Sequence, residues 1–580
     1  VLLGIIPNYV KGNIISEEEA RECLDILYQQ TILTEDELFQ PGDDTIEQRK
    51  NLHNILRIIY QRQSDMVLDH CGVVLTQVTH TPDGKAAREL PGEMVEAATR
   101  YLYELGEAIR SEWLKDSNYP YSQMVNTLLH STVSTHPHAI VHQAYFELFE
   151  RVYQYFTFFK DEIELLLQQL IFNPCGINNP HQKVRSRVCY HFYRLAKCLK
   201  KEFAAHSDTV VTGVMQILND SDSNLNPQDK QDVYGALGTI LSVSDLNTLA
   251  QVAEDSVSVL QTLCENPSDQ GAFEAADSIS YLSSLAKGIH GDAVRSVGGG
   301  DSPSLTGSNN QGQFPPNAML PSSAANGNTD DRPASVQVFF QVTQCVFATL
   351  EVYSTSWVVR EKALFFMAQM INTLLNDSHS FIEDLIPKML QTTNINELPR
   401  ILRLLTQFVN VTKANYAEVL GENLIPMIVE NIKDVCNFDE IQSVHGVFSE
   451  EAKEQMEGAK AYFTLIHTIV HCSAIVCLEC SASQNVLPIL MTQHLTWALQ
   501  ANVETEIPKF ALQIFARLAT AWCSGDQDQP TQLEEYLFDE ALPMALETRR
   551  TLRWFLSSAN FSSLSSRSLG IGVSMPSTEF

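Results

Sequence analysis

NNPHQKVRSRVCYHFYRLAKCLKKEF, residues 178–203, puts seven Lys and Arg side chains into a chain whose formal net charge is −31. Read at about 100° per residue, Val184, Val188, Phe192, Leu195 and Leu199 fall on one face of a helix. Lys183, Arg187, Tyr190, Arg194, Lys197 and Lys201 fall on roughly the opposite one. The segment is therefore a helix buried by its aliphatic side that shows a basic stripe with a tyrosine in it. Arg185 belongs to neither set: it directly follows Val184 at the edge of the apolar face.

The same arrangement recurs. Asn178-Asn179-Pro180 precedes Val184-Arg185, and Tyr353-Ser354-Thr355-Ser356 precedes Val359-Arg360. Glu504-Thr505-Glu506 likewise leads into Ile507-Pro508-Lys509. Each opens an apolar run at helical spacing: VCYHFYRLAKCL, EKALFFMAQMINTLL and FALQIFARLATAW. Between these runs, amphipathic segments follow one another in pairs, with Pro, Asn, Asp and Gly in the breaks. Pairs recurring at about 40 residues read as a stacked α-solenoid, in which each unit buries its apolar face only against its neighbours.

At 580 residues the chain is too long for one core. Its 44% hydrophobic and 19% charged content are values of an ordered protein, and Gly and Pro cluster rather than recur as closely as short strands require. The twelve cysteines, Cys71, Cys189, Cys198, Cys345 and Cys472 among them, sit in apolar helical patterns and read as reduced thiols. The uncharged run Ala461 to Leu478 is interrupted by Thr464, His467, Thr468, His471 and Ser473, so it reads as a buried helix and not as a membrane insertion. The opening VLLGIIPNYV is too short and weakly flanked for a signal peptide and reads as internal to a longer protein.

Residues 298–334 are rich in Gly, Ser, Asn and Pro without apolar period and read as a disordered insertion between helical blocks at 1–297 and 335–556. Residues 557–580 are serine-rich and read as a disordered tail, or as sequence replacing further repeats.

No catalytic constellation is present. Gly298-Gly299-Gly300 lacks the following Lys-Ser/Thr of a phosphate loop, and no G-x-S-x-G, H-E-x-x-H or set of kinase motifs occurs. His136, His138 and His142 lack a completing acid or cysteine for a metal site. Cys477 and Cys480 have the spacing of a redox or zinc pair but no second pair. Asp220, Asp222 and Asp229 lack the glycine and closing glutamate of a calcium loop, and read as a solvated connection between helices.

The stripe is the exception in an acidic chain. No Asp or Glu occurs between Glu164 and Glu202, so it reads as un-neutralised and without helix-internal pairing. In a stack of helix pairs the second helices line the concave side. There Lys183, Arg187, Arg194, Lys197 and Lys201 can meet phosphates by charge and counterion release, with Tyr190 placed to stack or to donate a hydrogen bond.

The turn, Val-Arg and amphipathic-helix pattern resembles the HEAT repeat. That resemblance gives Arg185 and Arg360 a structural role: linking successive repeats through an acidic or polar neighbour. A more specific resemblance rests on extended segments. HPHAIVHQAYFELFERVYQYFTF (136–158) and HQKVRSRVCYHFYRLAKCLKK (181–201), with EAATRYLYELGEAI (96–109) and QDKQDVYGALGTIL (228–241), are similar to the exportin-T family of the importin-β (karyopherin) superfamily. The similarity runs from about Ile14 to Thr551.

It implies an all-α HEAT-repeat superhelix that needs no cofactor and is not an enzyme. Such a receptor binds tRNA together with Ran-GTP in the nucleus, passes the pore through contacts with nucleoporins, and releases tRNA in the cytoplasm when Ran hydrolyses its GTP. It also implies that repeats carrying much of the Ran contact lie before Val1. The charge of −31 favours a second reading: a protein-cargo karyopherin or HEAT scaffold that binds basic partners.

Overall fold

A computed structural model describes residues 16–79, 87–289, 334–374, 378–391, 397–435, 450–472, 475–495, 497–498 and 506–523. Every regular element among them is helical. The chain forms two compact units that divide between Cys345 and Val346.

In the first unit the helices come in pairs. With the first helix of each pair labelled outer and the second inner by their order in the chain, outer α1 (Glu17–Thr31) precedes inner α2 (Asp43–Tyr60), and α3 (Ser64–Thr79) precedes α4 (Gly92–Gly106). α5 (Pro120–Leu129) precedes α6 (Ala139–Arg151). The next outer position is broken into α7 (Gln154–Phe158) and α8 (Ile163–Leu167), which runs on through the π turn Gln168–Phe172. Inner α9 (Gln182–Cys198) is followed by the short α10 (Lys200–Ala204), then α11 (Ser207–Asn219) pairs with α12 (Pro227–Ser244), and α13 (Leu246–Glu265) with α14 (Asp269–Lys287). Inner helices pack in series: α2 on α4, α4 on α6, α6 on α9, α9 on α12 and α12 on α14. They begin at residues 43, 92, 139, 182, 227 and 269, which is a repeat.

Local chemistry sets the helix starts. Ser16 with Glu19 and Asn226 with Asp229 form capping boxes at α1 and α12. Pro120 and Pro227 occupy first-turn positions, where their missing N–H costs nothing. α9 has no side-chain cap; instead Asn179 Oδ1 accepts from His181 N at 3.0 Å, while Asn179 Nδ2 donates to Cys175 O at 2.9 Å. Val184, Val188, Phe192, Leu195 and Leu199 are all fully buried, at roughly 1.5–3 kcal/mol each.

α9 does not run to Phe203 as its period predicts. It stops at Cys198, and Leu199 (φ −110°, ψ 32°) turns the chain into α10, so Phe203 enters the core and Lys201 sits on the second helix.

Arg185 is the fourth residue of α9. Its Nε donates to Asp229 Oδ2 at 3.0 Å and its Nη1 to Asn179 O at 2.9 Å. Asp229 Oδ1 accepts from Ser186 Oγ at 2.6 Å. Asp229 is thus not in a solvated connection: it is fully buried in the first turn of α12, where the helix dipole also favours a carboxylate. Asp220 and Asp222 do lie in the exposed connection.

The residues expected to form an insertion lie outside the described ones, except Ala334, which opens helix α15 (Ala334–Val352). The unit boundary falls within that helix. Residues 524–580, including the serine-rich tail, also lie outside the described residues.

The second unit repeats the plan. Its helices include α16 (Trp357–Leu374), α17 (His379–Gln391) and α18 (Leu398–Thr412), followed by α19 (Ile425–Val435), α20 (Glu450–His471) and α21 (Glu506–Cys523). α16 packs on α18, α18 on α20 and α20 on α21. Arg360, the fourth residue of α16, donates to Glu397 at 2.7 Å and to Met389 O at 3.1 Å, and Glu397 stands just before the first residue of α18. Arg400–Glu361, Arg403–Glu457 and Lys460–Glu506 pair further along the same succession of helices. Among the described residues no helix is long and apolar enough to cross a membrane.

Removing one partner of a buried ion pair leaves the other charge uncompensated, at about 3–5 kcal/mol. Arg185→Met should therefore speed hydrogen exchange of α9 and α12 amides by that free energy while leaving α16 and α18 unchanged. Equal loosening of both units would show that the bridge does not act between neighbouring repeats.

Candidate nucleic-acid interface

All six stripe side chains are exposed, with Tyr190 at 40%. Their surroundings differ. Arg187 and Arg194 lean toward α6, where Arg187 Nη2 meets Glu147 Oε1 at 3.2 Å and Arg194 Nη2 meets Glu150 Oε1 at 3.0 Å. The stripe is therefore partly neutralised, contrary to the sequence reading. The acids come from the preceding inner helix, 40 and 44 residues upstream. Only stacking of repeats brings them beside α9.

Glu147 is a node. Arg100 Nη2 lies at 2.6 Å from its Oε2, Gln143 Nε2 donates to its Oε1 at 3.0 Å, and His191 Nε2 lies 3.6 Å away. Burial alone would raise its pKa, but His191, Arg100 and Gln143 together hold it well below the usual carboxylate range. The line continues to Arg49 on α2, which binds Glu96 on α4 at 2.5 Å, while Arg100 lies 3.6 Å from the same Glu96.

The opposite flank of α9 faces α12 and α14. Lys197 Nζ lies 5.3 Å from the ring centroid of Tyr193, and Lys200 Nζ donates to Gly288 O at 3.3 Å beyond the end of α14. Asp232 on α12 is half-buried, and its pKa is pushed up to about 6 by that burial, with Lys287 opposing the shift and Asp229 adding to it. Among the described residues no carboxylate pairs with Lys183, Lys197 or Lys201. Tyr190 has Arg187 Cζ 5.7 Å from its ring centroid and an edge contact with His191 at 5.6 Å.

The other sequence candidates have structural surroundings. His136 Nε2 meets Leu90 O at 3.0 Å while its Nδ1 accepts from His138 N at 3.0 Å. His142 Nε2 meets His136 O at 2.6 Å and its Nδ1 meets Asn179 Nδ2 at 3.0 Å. Both nitrogens of each ring are thus engaged, and burial lowers the His142 pKa to about 4. Burial pushes the Cys477 thiol up to about 12, far from a reactive thiolate.

A row of exposed cations along α9 and the start of α10, bordered by ordered acids, can hold a polyanion without reading its sequence. Comparison with known proteins adds descent. A family model described as Exportin-T matches residues 34–239 and 316–544. The chain belongs to the exportin-T family. α9 lies inside the first matched segment.

Among similar proteins, an Exportin-T of Arabidopsis thaliana is 22% identical over 517 residues, covering 87% of this chain and 49% of that protein. An Exportin-T of Mus musculus is 22% identical over 523 residues, covering 86% and 49%. The chain thus spans about half the length of these relatives. Among solved structures, a mutant of Kap121p covers 98% of this chain and 52% of its own at 14% identity and a TM-score of 0.49. An importin β covers 91% and 64% at 12% and 0.45.

Asp232 supplies a pH test. Its raised folded pKa means that its ionised form costs stability above about pH 6, a cost that vanishes below its ordinary value of 3.8. Asp232→Asn should raise the thermal midpoint at pH 7.5 and leave it unchanged near pH 4. A midpoint difference independent of pH would contradict a desolvated carboxyl there.

Proposed function

We propose that this chain acts in the nuclear export of tRNA, as part of a receptor that binds tRNA cooperatively with Ran-GTP and carries it through the pore to the cytoplasm. Such a receptor moves between nucleus and cytoplasm. It is not an enzyme: hydrolysis belongs to the GTPase. Membership of the exportin-T family supports this reading, and the observation that carries the RNA contact is the α9 stripe.

Lys183, Arg187, Tyr190, Arg194, Lys197 and Lys201 are the residues assigned to RNA. Recognition of phosphates through a basic helix suits a cargo read by its backbone form. For nucleoporins, an apolar cavity of about 610 Å³ between the outer helices α3 and α5, lined in part by Leu68, Val73, Leu75, Pro120 and Met124, offers a seat for apolar side chains. Arg185 and Arg360 are assigned to repeat-to-repeat linkage.

The second reading, a karyopherin for protein cargo or a HEAT scaffold for basic partners, draws on the net charge of −31. The two separate in one experiment. Lys183→Glu, Lys197→Glu and Lys201→Glu together reverse the three stripe lysines with which no carboxylate pairs among the described residues, without disturbing the Glu147 and Glu150 pairs.

For a tRNA receptor, anisotropy titrations should show affinity for tRNA falling by at least about tenfold, with the slope of log K against log salt shallower by roughly 0.7–0.9 per lost phosphate contact. Unchanged tRNA affinity and salt slope would exclude the stripe as the RNA surface and leave the basic-partner reading in place.

A further inference from the structure

The stripe is not one kind of surface. Arg187 and Arg194 flank Tyr190 at three residues before and four after, so the three side chains share one face of α9. Each arginine is anchored to a carboxylate of α6: Arg187 to the buried Glu147 and Arg194 to Glu150. Glu147 is itself held by Arg100 and Gln143, so the anchor at Arg187 is fixed from two helices. Hydrogen bonding and charge from Glu150 raise the pKa of Arg194 and strengthen its tether.

The Tyr190 ring leans by its edge on buried His191 and has the Arg187 guanidinium 5.7 Å from its centroid, yet 40% of the residue remains exposed. Lys183, Lys197 and Lys201 are exposed like the arginines but differ in that no carboxylate pairs with them among the described residues.

We propose that Tyr190, bracketed by the tethered Arg187 and Arg194, is a stacking platform for an unpaired base, whereas Lys183, Lys197 and Lys201 take the phosphates. A guanidinium already paired with a carboxylate contributes little counterion release, but it keeps its planar face and its cation–π contact. A lysine with no carboxylate partner is a point charge suited to a phosphate. The chemistry selected is RNA with a single-stranded segment beside a duplex, because a base inside a helix already has both faces covered. The proposal rests on the reading of α9 as an RNA surface and divides that surface by role.

The test uses the 580-residue chain and two probes: a hairpin RNA with a short unpaired tail, and the same hairpin with a blunt end. Tyr190→Ala should weaken binding of the tailed hairpin by roughly fivefold to a hundredfold. It should leave the blunt hairpin and the salt slope unchanged, while Tyr190→Phe retains wild-type discrimination. Equal weakening of both probes by Tyr190→Ala, or of neither, overturns the stacking role. In that case the triple lysine reversal still weakens both probes, and the phosphate-binding reading stands. If the lysine reversal itself changes nothing, the RNA reading of α9 fails, and the platform with it. Tyr190 is exposed, so hydrogen exchange of α9 should match wild type in both Tyr190 variants and separate a lost contact from a lost fold.

Discussion

The pairing of an arginine on one inner helix with a carboxylate on the next is the constraint on which the rest depends. Arg185–Asp229 and Arg360–Glu397 place the arginine at the fourth residue of its helix and the acid at the start of the following one. Each pair is buried, and its arginine also donates to a backbone carbonyl. A buried pair adds little net stability over apolar residues of the same size, because desolvation offsets the attraction. Its effect is on register. A one-residue slip of α9 against α12 would strand two charges in the core, whereas Val184, Val188 and Leu195 alone would tolerate several registers.

With register fixed, the outer edge of the α9 surface is fixed too. Val184, Val188, Phe192, Leu195 and Leu199 turn inward, Arg185 reaches α12, and the stripe side chains point away from the core. Glu147 and Glu150 then fall opposite Arg187 and Arg194, so part of the basic charge is ordered by the same stacking that builds the fold. Asp232 and Lys287 border the other side. The surface offered to a polyanion is a product of repeat packing and not of α9 alone.

Much of this was legible in the residues. The 3.6-residue period of α9, the turn before it and the odd position of Arg185 pointed to paired helices and a repeat, and the extended similarity pointed to the family. Less legible were contacts between repeats. Glu147 and Glu150 neutralise part of the stripe from one repeat upstream, a neighbour in space that the sequence within α9 does not show; the repeat period holds that signal. Asp229 resembles a loop acid in an Asp- and Asn-rich segment, and its capping box with Asn226 is the local signal that places it in α12. The break at Leu199 is not written in helix propensity; beyond it Phe203 is fully buried on α10.

The central claim is that the repeat stack presents the α9 cations to RNA. Lysine acylation read by mass spectrometry, with and without bound tRNA, tests it residue by residue on the folded chain. The account predicts protection of Lys183, Lys197 and Lys201, with exposed Lys115 and Lys160 in the helix connections reacting equally in both states. Uniform acylation of the stripe lysines in the presence of saturating tRNA would contradict it.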